Sequence, residues 1–342
     1  MRRSPEKLRT LTDGVHAWLP DGRGTWGWAN CLVVETGDGG ALVVDTPYTA
    51  VQTRKLQDAA RHLLGADLVF RTVVTTHANG DHAFGACLFP EAELVAGARG
   101  AAHAQHEPGP REMEALLAAT DTPAARAADP AFGWYTHSHF PLDYAELTPR
   151  TPTRLVRDRE RLRLGALDVE VIEVAPAHTD GDVLVHLPAQ RTVATGDIVF
   201  SDGHPVHWAG PLSRVIAAAE AALALDPQIV VPGHGPVLTP AELAEHVTYL
   251  RELRAWLHDA HARGRTAWQA GEELVEKNAH HGWALEERQF IVAAMEYRHL
   301  DAAPGEEVGP ADVPALLAPA AQAAYAREGG RELTRTWATE DV

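Results

Sequence analysis

Cysteine is nearly missing from this chain: Cys31 and Cys87 are the two it has among 342 residues. That excludes a disulfide framework, and their apolar neighbours mark both as core thiols rather than nucleophiles or ligands. Positive charge is scarce as well. Lys and Arg number 30 against 47 Asp and Glu, a formal net charge of −17. Nucleic acid and anionic membrane are therefore poor partners, because phosphate binding needs clustered Lys and Arg. No stretch approaches the ~20 apolar residues that a membrane span requires. Residues Met1-Arg2-Arg3-Ser4-Pro5-Glu6-Lys7 carry charge with no apolar run behind them, so no secretory signal is expected. These absences lead to the expectation of a cytoplasmic protein with a small-molecule partner. The length allows one large domain, or a domain with an appendage, around a sizeable core.

Histidine, by contrast, is plentiful at 19. Two of them lie in Thr76-His77-Ala78-Asn79-Gly80-Asp81-His82. The run Val73-Val74-Thr75-Thr76 leads in as a buried strand, Gly80 breaks it, and Ala83-Phe84-Gly85-Ala86 reads as the start of a short helix. Two imidazoles, a carboxamide and a carboxylate thus crowd into six residues where a strand becomes a loop, the place where rigid scaffolds present functional side chains. Imidazole with carboxylate suits Zn, Fe or Mn. Further strands end in the same residue types. Val171-Ile172-Glu173-Val174 runs into Ala177-His178-Thr179-Asp180-Gly181-Asp182, Thr192-Val193-Ala194-Thr195-Gly196 ends in Asp197, and Ile229-Val230-Val231-Pro232-Gly233 ends in His234. Upstream, Leu42-Val43-Val44-Asp45-Thr46 is a strand with an acid at its end.

In this order, the five segments resemble the metallo-β-lactamase superfamily, whose metal motif is His-x-His-x-Asp-His. The likeness covers roughly residues 12–240. Asn79 departs from the motif, standing where its second His is expected. The resemblance implies an α/β fold, the four-layer αββα sandwich, with a catalytic domain at 1–240. It also implies a dinuclear site: His77, His178 and the Asn79 position at the first metal, Asp81, His82 and His234 at the second, and Asp197 bridging. Asp45 would be structural. Thr179, Asp180 and Asp182 would orient His178. The implied cofactors are two divalent metal ions, Zn by default with Fe or Mn as alternatives. A neutral carboxamide is a weaker donor to Zn than imidazole, so Asn79 leaves open a weakly filled first site, a harder metal, or one metal only. Two metals of unequal affinity is the reading adopted.

Along the chain, residues 10–45 read as a β-meander with Asp38-Gly39-Gly40 as a hairpin turn. Trp26 and Trp28 sit in its Gly-rich loop, Gly22-Arg23-Gly24-Thr25-Trp26-Gly27-Trp28, and suit either a flap over the substrate or the core. A helix is expected at Ala50 to Leu64 with Val51, Leu56, Ala59, Ala60 and Leu63 on its buried face. Residues 97–150, rich in Ala and Pro, read as a largely helical insertion beside the site mouth, with His137 and His139 either reaching the site or, the more expected outcome, forming a solvated loop pair. A hairpin around Gly165-Ala166 opens the second β-rich half. After Asp197, His204, His207 and Trp208 are candidate substrate contacts. Arg214 to Leu225 reads as an amphipathic helix. Thr239-Pro240-Ala241-Glu242 reads as a helix start, opening a helical C-terminal extension at 241–342. Its stripes Leu243-Val247-Leu250-Leu253-Leu257 and Phe290-Ala294-Tyr297 suit a core or a homodimer face. Residues 303–342, rich in Ala, Pro and Glu, read as a partly mobile tail.

The function expected from the resemblance is a metal-dependent hydrolase. A metal-bound hydroxide would attack a small organic substrate (ester, thioester, lactone or amide), with Asp81 and Asp197 the indispensable carboxylates. Two alternatives stand beside it. One is a non-hydrolytic enzyme of the same fold, a lyase, an isomerase or a catalyst of metal-dependent oxygen chemistry. The other is a metal-binding protein without turnover.

Overall fold

In a computed structural model, the description covers residues 7–20, 26, 28–120, 122–140, 144–277, 280 and 282–328. Residues 22–25 and 27 of the Trp-bearing loop, residues 1–6 of the N-terminus and residues 329–342 of the expected tail lie outside it.

The β-meander forms as β1 (Arg9–Thr12), β2 (Val15–Trp18), β3 (Cys31–Glu35) and β4 (Gly40–Val44), paired antiparallel in order. Helix α1 (Ala50–Leu64) then carries the chain to β5 (Val69–Thr75), which lies parallel to β4. The buried face of α1 differs from the expected one. Val51 and Leu63 are exposed, whereas Gln52 and Thr53 are buried with Leu56, Ala59 and Ala60. The Thr53 hydroxyl donates to the carbonyls of Thr49 and Pro47, which satisfies it inside and lets it share the buried face. Strands β6 (Glu93–Gly97) and β7 (Arg154–Val156) extend this sheet in parallel to seven strands. At three residues, β7 is too short for periodicity to reveal.

The second sheet has five strands. The Gly165-Ala166 hairpin joins β8 (Arg159–Leu164) to β9 (Leu167–Glu173); β10 (Val183–Leu187), β11 (Thr192–Phe200) and β12 (Ile229–His234) complete it, with β12 parallel to β11. The two sheets face each other across one apolar layer that includes Val34, Leu42 and Val74 from the first and Val169, Val185 and Val231 from the second. On the outer face of the first sheet lies α1. On the outer face of the second lie α7 (Leu212–Ala224) and α8 (Pro240–Ala262). This is the expected αββα layering.

Thr239 caps α8 in a reciprocal capping box with Glu242, with Pro240 in its first turn. Its stripe from Leu243 to Leu257 is buried against α7 and the sheet, so the structure uses it as core. Within 97–150 the chain forms α3 (Ala98–His103), α4 (Pro110–Thr120), α5 (Pro123–Ala128) and α6 (Pro130–His139). His137 and His139 are not a solvated loop pair. They end α6, where His139 is buried against Tyr135 with ring centroids 4.4 Å apart. Helices α9 (Ala267–Lys277), α10 (Arg288–Asp301) and α11 (Val313–Glu328) follow, so part of the expected tail is helical. In one cluster α10 and α11 pack with Tyr135 of α6: Ile291, Met295, Leu317 and Ala321 are all buried there. No helix of the described residues is long and apolar enough to cross a membrane.

Candidate metal centre

Each side chain of the expected cluster sits where a strand stops or bends. His77 follows β5, and the four-residue helical turn α2 (Gly80–Ala83) carries Asp81 and His82. His178 lies between β9 and β10, and His234 ends β12. Asp197 does not end its strand, as the sequence suggests. β11 continues to Phe200 through irregular pairing with β12 on both sides of Gly196. Gly196 adopts φ +51°, and a Cβ there would lie 2.5 Å from Thr76 Oγ1. A side chain at Gly233 would fare worse, its Cβ falling 1.9 Å from Asp197 Oδ1. These two glycines give the bend that aims Asp197 into the cluster and the space its carboxylate occupies.

The seven side chains His77, Asn79, Asp81, His82, His178, Asp197 and His234 converge. Asp197 straddles two groups: Oδ1 is 3.1 Å from His82 Nε2 and 3.4 Å from His234 Nε2, and Oδ2 is 3.5 Å from His178 Nε2. Asp81 Oδ2 lies 3.3 Å from His234 Nε2 and 3.7 Å from His82 Nε2. The His77 ring is 4.2 Å from that of His82 and 4.9 Å from that of His178, centroid to centroid. Asn79 Oδ1 is 3.1 Å from His178 Nε2.

Behind this layer the rings of His82 and His178 are held from their far nitrogens. Asp45, at φ 58°, accepts from the Thr76 amide at 2.7 Å, from the Thr76 hydroxyl at 2.8 Å and from His82 Nδ1 at 2.8 Å. His178 Nδ1 donates to the Val206 carbonyl at 2.8 Å. The residues expected to orient His178 have other tasks. Asp182 accepts from the Thr179 amide and hydroxyl, bracing the loop, and Asp180 faces His103 at 3.5 Å. A backbone carbonyl has no residue-type signature, which is why the sequence could not reveal Val206.

His77 Nε2, His82 Nε2 and Asp197 Oδ1 are buried with no hydrogen-bond partner, since the short His82–Asp197 approach lacks hydrogen-bond geometry. Buried polar atoms without partners are costly and rare. Donor atoms of His77, His82 and Asp197, and of Asp81, His82 and His234, lie within 4.8 Å of one another. Convergent imidazoles and carboxylates of this kind fit divalent cations.

Charge divides the cluster. Burial pushes the His77 imidazole well below its ordinary value, helped by His82, and burial also lowers His178. His82 and His234 are raised: burial opposes this, but Asp197 and Asp81 outweigh it. Asp197 and Asp81 are lowered against burial by the imidazoles facing them, Asp197 chiefly by His234 and Asp81 by His82.

Asn79, Asp81, His178, Asp197 and His234 of the cluster line a cavity of about 1020 Å³ whose wall also includes Trp26, Phe84, Phe132, Phe140, Trp208 and Leu317. Trp26 is at once wall and core: its Nε1 donates to Tyr135 Oη at 2.7 Å while its ring lines the cavity. Trp208 also lines it. Trp28, His204 and His207 are buried beside it and are not on its wall. His204 turns toward Trp283 and Tyr249, and burial beside His178 and His299 drives His207 down to about 3. One wall residue had no sequence signal at all. Arg288, at the start of α10, is fully buried with its guanidinium 4.2 Å above the Trp26 ring and 4.9 Å from that of Phe200.

A sequence model described as the metallo-beta-lactamase superfamily matches residues 24–234. Among solved structures, a metallo-beta-lactamase from Pontibacter korlensis is similar at 18% identity and a TM-score of 0.51, over 72% of this chain and 98% of that one. A stereoselective inverting sec-alkylsulfatase from Pseudomonas sp. is similar at 16% identity and a TM-score of 0.59, over 87% of this chain and 52% of that one. The curated proteins hold no match. At such identities the structural likeness concerns the fold alone. The sequence match, however, spans well over half of the chain and contains every residue of the cluster. The chain belongs to the metallo-β-lactamase superfamily.

Proposed function

We propose that this protein is a metal-dependent hydrolase of small organic substrates with an apolar body, cleaving an ester, thioester, lactone or amide. One observation carries the reading. Partnerless donor atoms of His77, His82 and Asp197 converge beside a largely apolar cavity that Asp81, His178, Asp197 and His234 of the same cluster line. When bound there, two divalent cations, Zn by default, supply Lewis acidity and a lowered pKa for water. The chain does the rest. His77, His178, His82 and His234 offer nitrogen donors, and Asp81 and Asp197 offer negative charge. Phe84, Phe140 and Trp208 exclude bulk water and seat the apolar part of the substrate. Arg288 gives the wall one buried positive charge against a polar end. Among the described wall residues there is no serine or cysteine, and Thr136 is engaged with the carbonyls of Phe132 and Gly133. The described wall thus offers no serine, cysteine or free threonine to take an acyl group, which favours direct attack by water. Water adds across the scissile bond, giving the acid and the freed alcohol, thiol or amine.

The test is metal analysis of the purified protein, followed by a screen of acyl substrates with that metal restored; sulfate esters join the screen because of the fold shared with the alkylsulfatase. Turnover that is lost on chelation, returns with metal and releases an acid is expected. Conversion without hydrolysis would move the protein to lyase, isomerase or oxygen chemistry, and metal uptake without any turnover would make it a binding protein.

A further inference from the structure

Asn79 is the position at which this chain departs from its family's motif, and its surroundings are built. The amide nitrogen donates to Glu107 Oε2 at 3.1 Å, and the amide oxygen faces His178 Nε2 at 3.1 Å. Glu107 comes from the 97–150 segment, in the turn after α3. Its other oxygen lies 2.8 Å from His103 Nε2, and His103 Nδ1 is 3.5 Å from Asp180. The row Asn79, Glu107, His103, Asp180 thus runs from the cluster outward to the surface.

The orientation of this amide follows from chemistry. A carboxylate accepts and cannot donate, so Asn79 must turn its nitrogen toward Glu107 and its oxygen inward. The Val206 carbonyl likewise only accepts, so a neutral His178 carries its proton on Nδ1 and presents a lone pair at Nε2. Two lone pairs, Asn79 Oδ1 and His178 Nε2, then face each other at 3.1 Å. Such a pair is repulsive unless a cation lies against both. Asp197 Oδ2, 3.5 Å from the same nitrogen, and the partnerless His77 Nε2 complete the surroundings.

We propose that Glu107 is the positioning residue that makes Asn79 an oxygen donor to the cation held by His77 and His178. The proposal rests on the metal-centre reading above. Glu107 fixes which end of the amide faces inward. By accepting from its nitrogen it also draws electron density toward the oxygen, strengthening a donor that is weak when neutral and free. In this account the helical segment that walls the cavity also repairs the ligand set left short by the missing histidine.

The test is metal titration of the demetallated protein with Zn(II), using a competing chelator, on four forms: wild type, Glu107→Gln, Asn79→Ala and the double variant. Glu107→Gln keeps the shape of the side chain but can present an amide nitrogen to Asn79, letting the carboxamide invert. Expected is a loss of about 10- to 100-fold in affinity at the weaker step of Glu107→Gln, with the tighter step unchanged. Asn79→Ala should match it, and the double variant should be no weaker than Asn79→Ala alone. A further full loss in the double variant would mean that Glu107 acts on the cation without Asn79, overturning the proposal. A Glu107→Gln protein with both steps as in wild type also overturns it, whatever its melting temperature does. A wild type that takes up no metal would remove the underlying reading itself, an outcome distinct from the other two.

Discussion

The two halves of the cluster are made of similar residues and are electrically unlike. Around His82 and His234 stand Asp81 and Asp197, with Asp45 behind His82 at 2.8 Å. Carboxylates raise both imidazoles in spite of complete burial. Around His77 and His178 stand a carboxamide, a backbone carbonyl and the second oxygen of Asp197, and there burial prevails and both imidazoles are lowered. In a medium of low effective dielectric, the half that concentrates negative charge attracts a cation far more strongly. The difference teaches that one missing histidine is not a local defect. It leaves one half of the cluster dependent on neutral donors and on whatever orients them.

The comparison can be broken most severely at the group both halves share. Asp197→Asn keeps the shape and removes the charge. It should cut turnover by orders of magnitude and lower metal occupancy of both halves while the protein stays folded; near-native turnover with two metals bound would refute the shared role. Next is Asp45→Asn, which acts directly on the His82 half and reaches His77 only through the Thr76 hydroxyl. Loss of the carboxylate behind His82 should weaken the tighter metal step by about 10- to 100-fold and spare the weaker one. A chelator titration reads both, and equal weakening of the two steps would erase the distinction between halves.

A smaller effect, of opposite sign, is expected from Asn79→His. Imidazole restores a nitrogen donor, so the weaker step should tighten and approach the stronger. Turnover should fall if the substrate uses the coordination position that the imidazole fills. Trp26→Ala should disturb the halves least. It removes the bond to Tyr135 and the face under Arg288, at about 3–5 kcal/mol of stability. The Michaelis constant should rise more than turnover falls, with both metal steps intact. Unchanged kinetics in a less stable protein would make Trp26 a core residue only.

How much of this was legible in the chain depends on whether a feature is local. His77, His178, Asp197 and His234 each lie in or just beyond a β-branched run, with Asp81 and His82 close behind His77, and alternation or continuity of apolar residues places such runs as strands without knowledge of the fold. The αββα layering was implied by the family resemblance that those segments carry. The orienting groups were not legible. Val206 acts through its backbone, Glu107 is one acid in a turn, and Arg288 is one cation opening a helix 91 residues beyond Asp197 in the chain. The face of α1 was misread at Val51 and Leu63 because apolarity was counted, whereas the buried Thr53 hydroxyl finds its partners within the helix and the preceding loop. His204 and His207 follow Asp197 in sequence, but the chain buries them off the cavity wall.

The measurement that tests the account most directly is a calorimetric titration of the demetallated wild-type protein with Zn(II), with the bound metal counted at each plateau. Two successive steps are expected, the first tight and the second markedly weaker. A single step that delivers two equivalents with equal, tight affinity would contradict the inequality of the two halves on which the account stands.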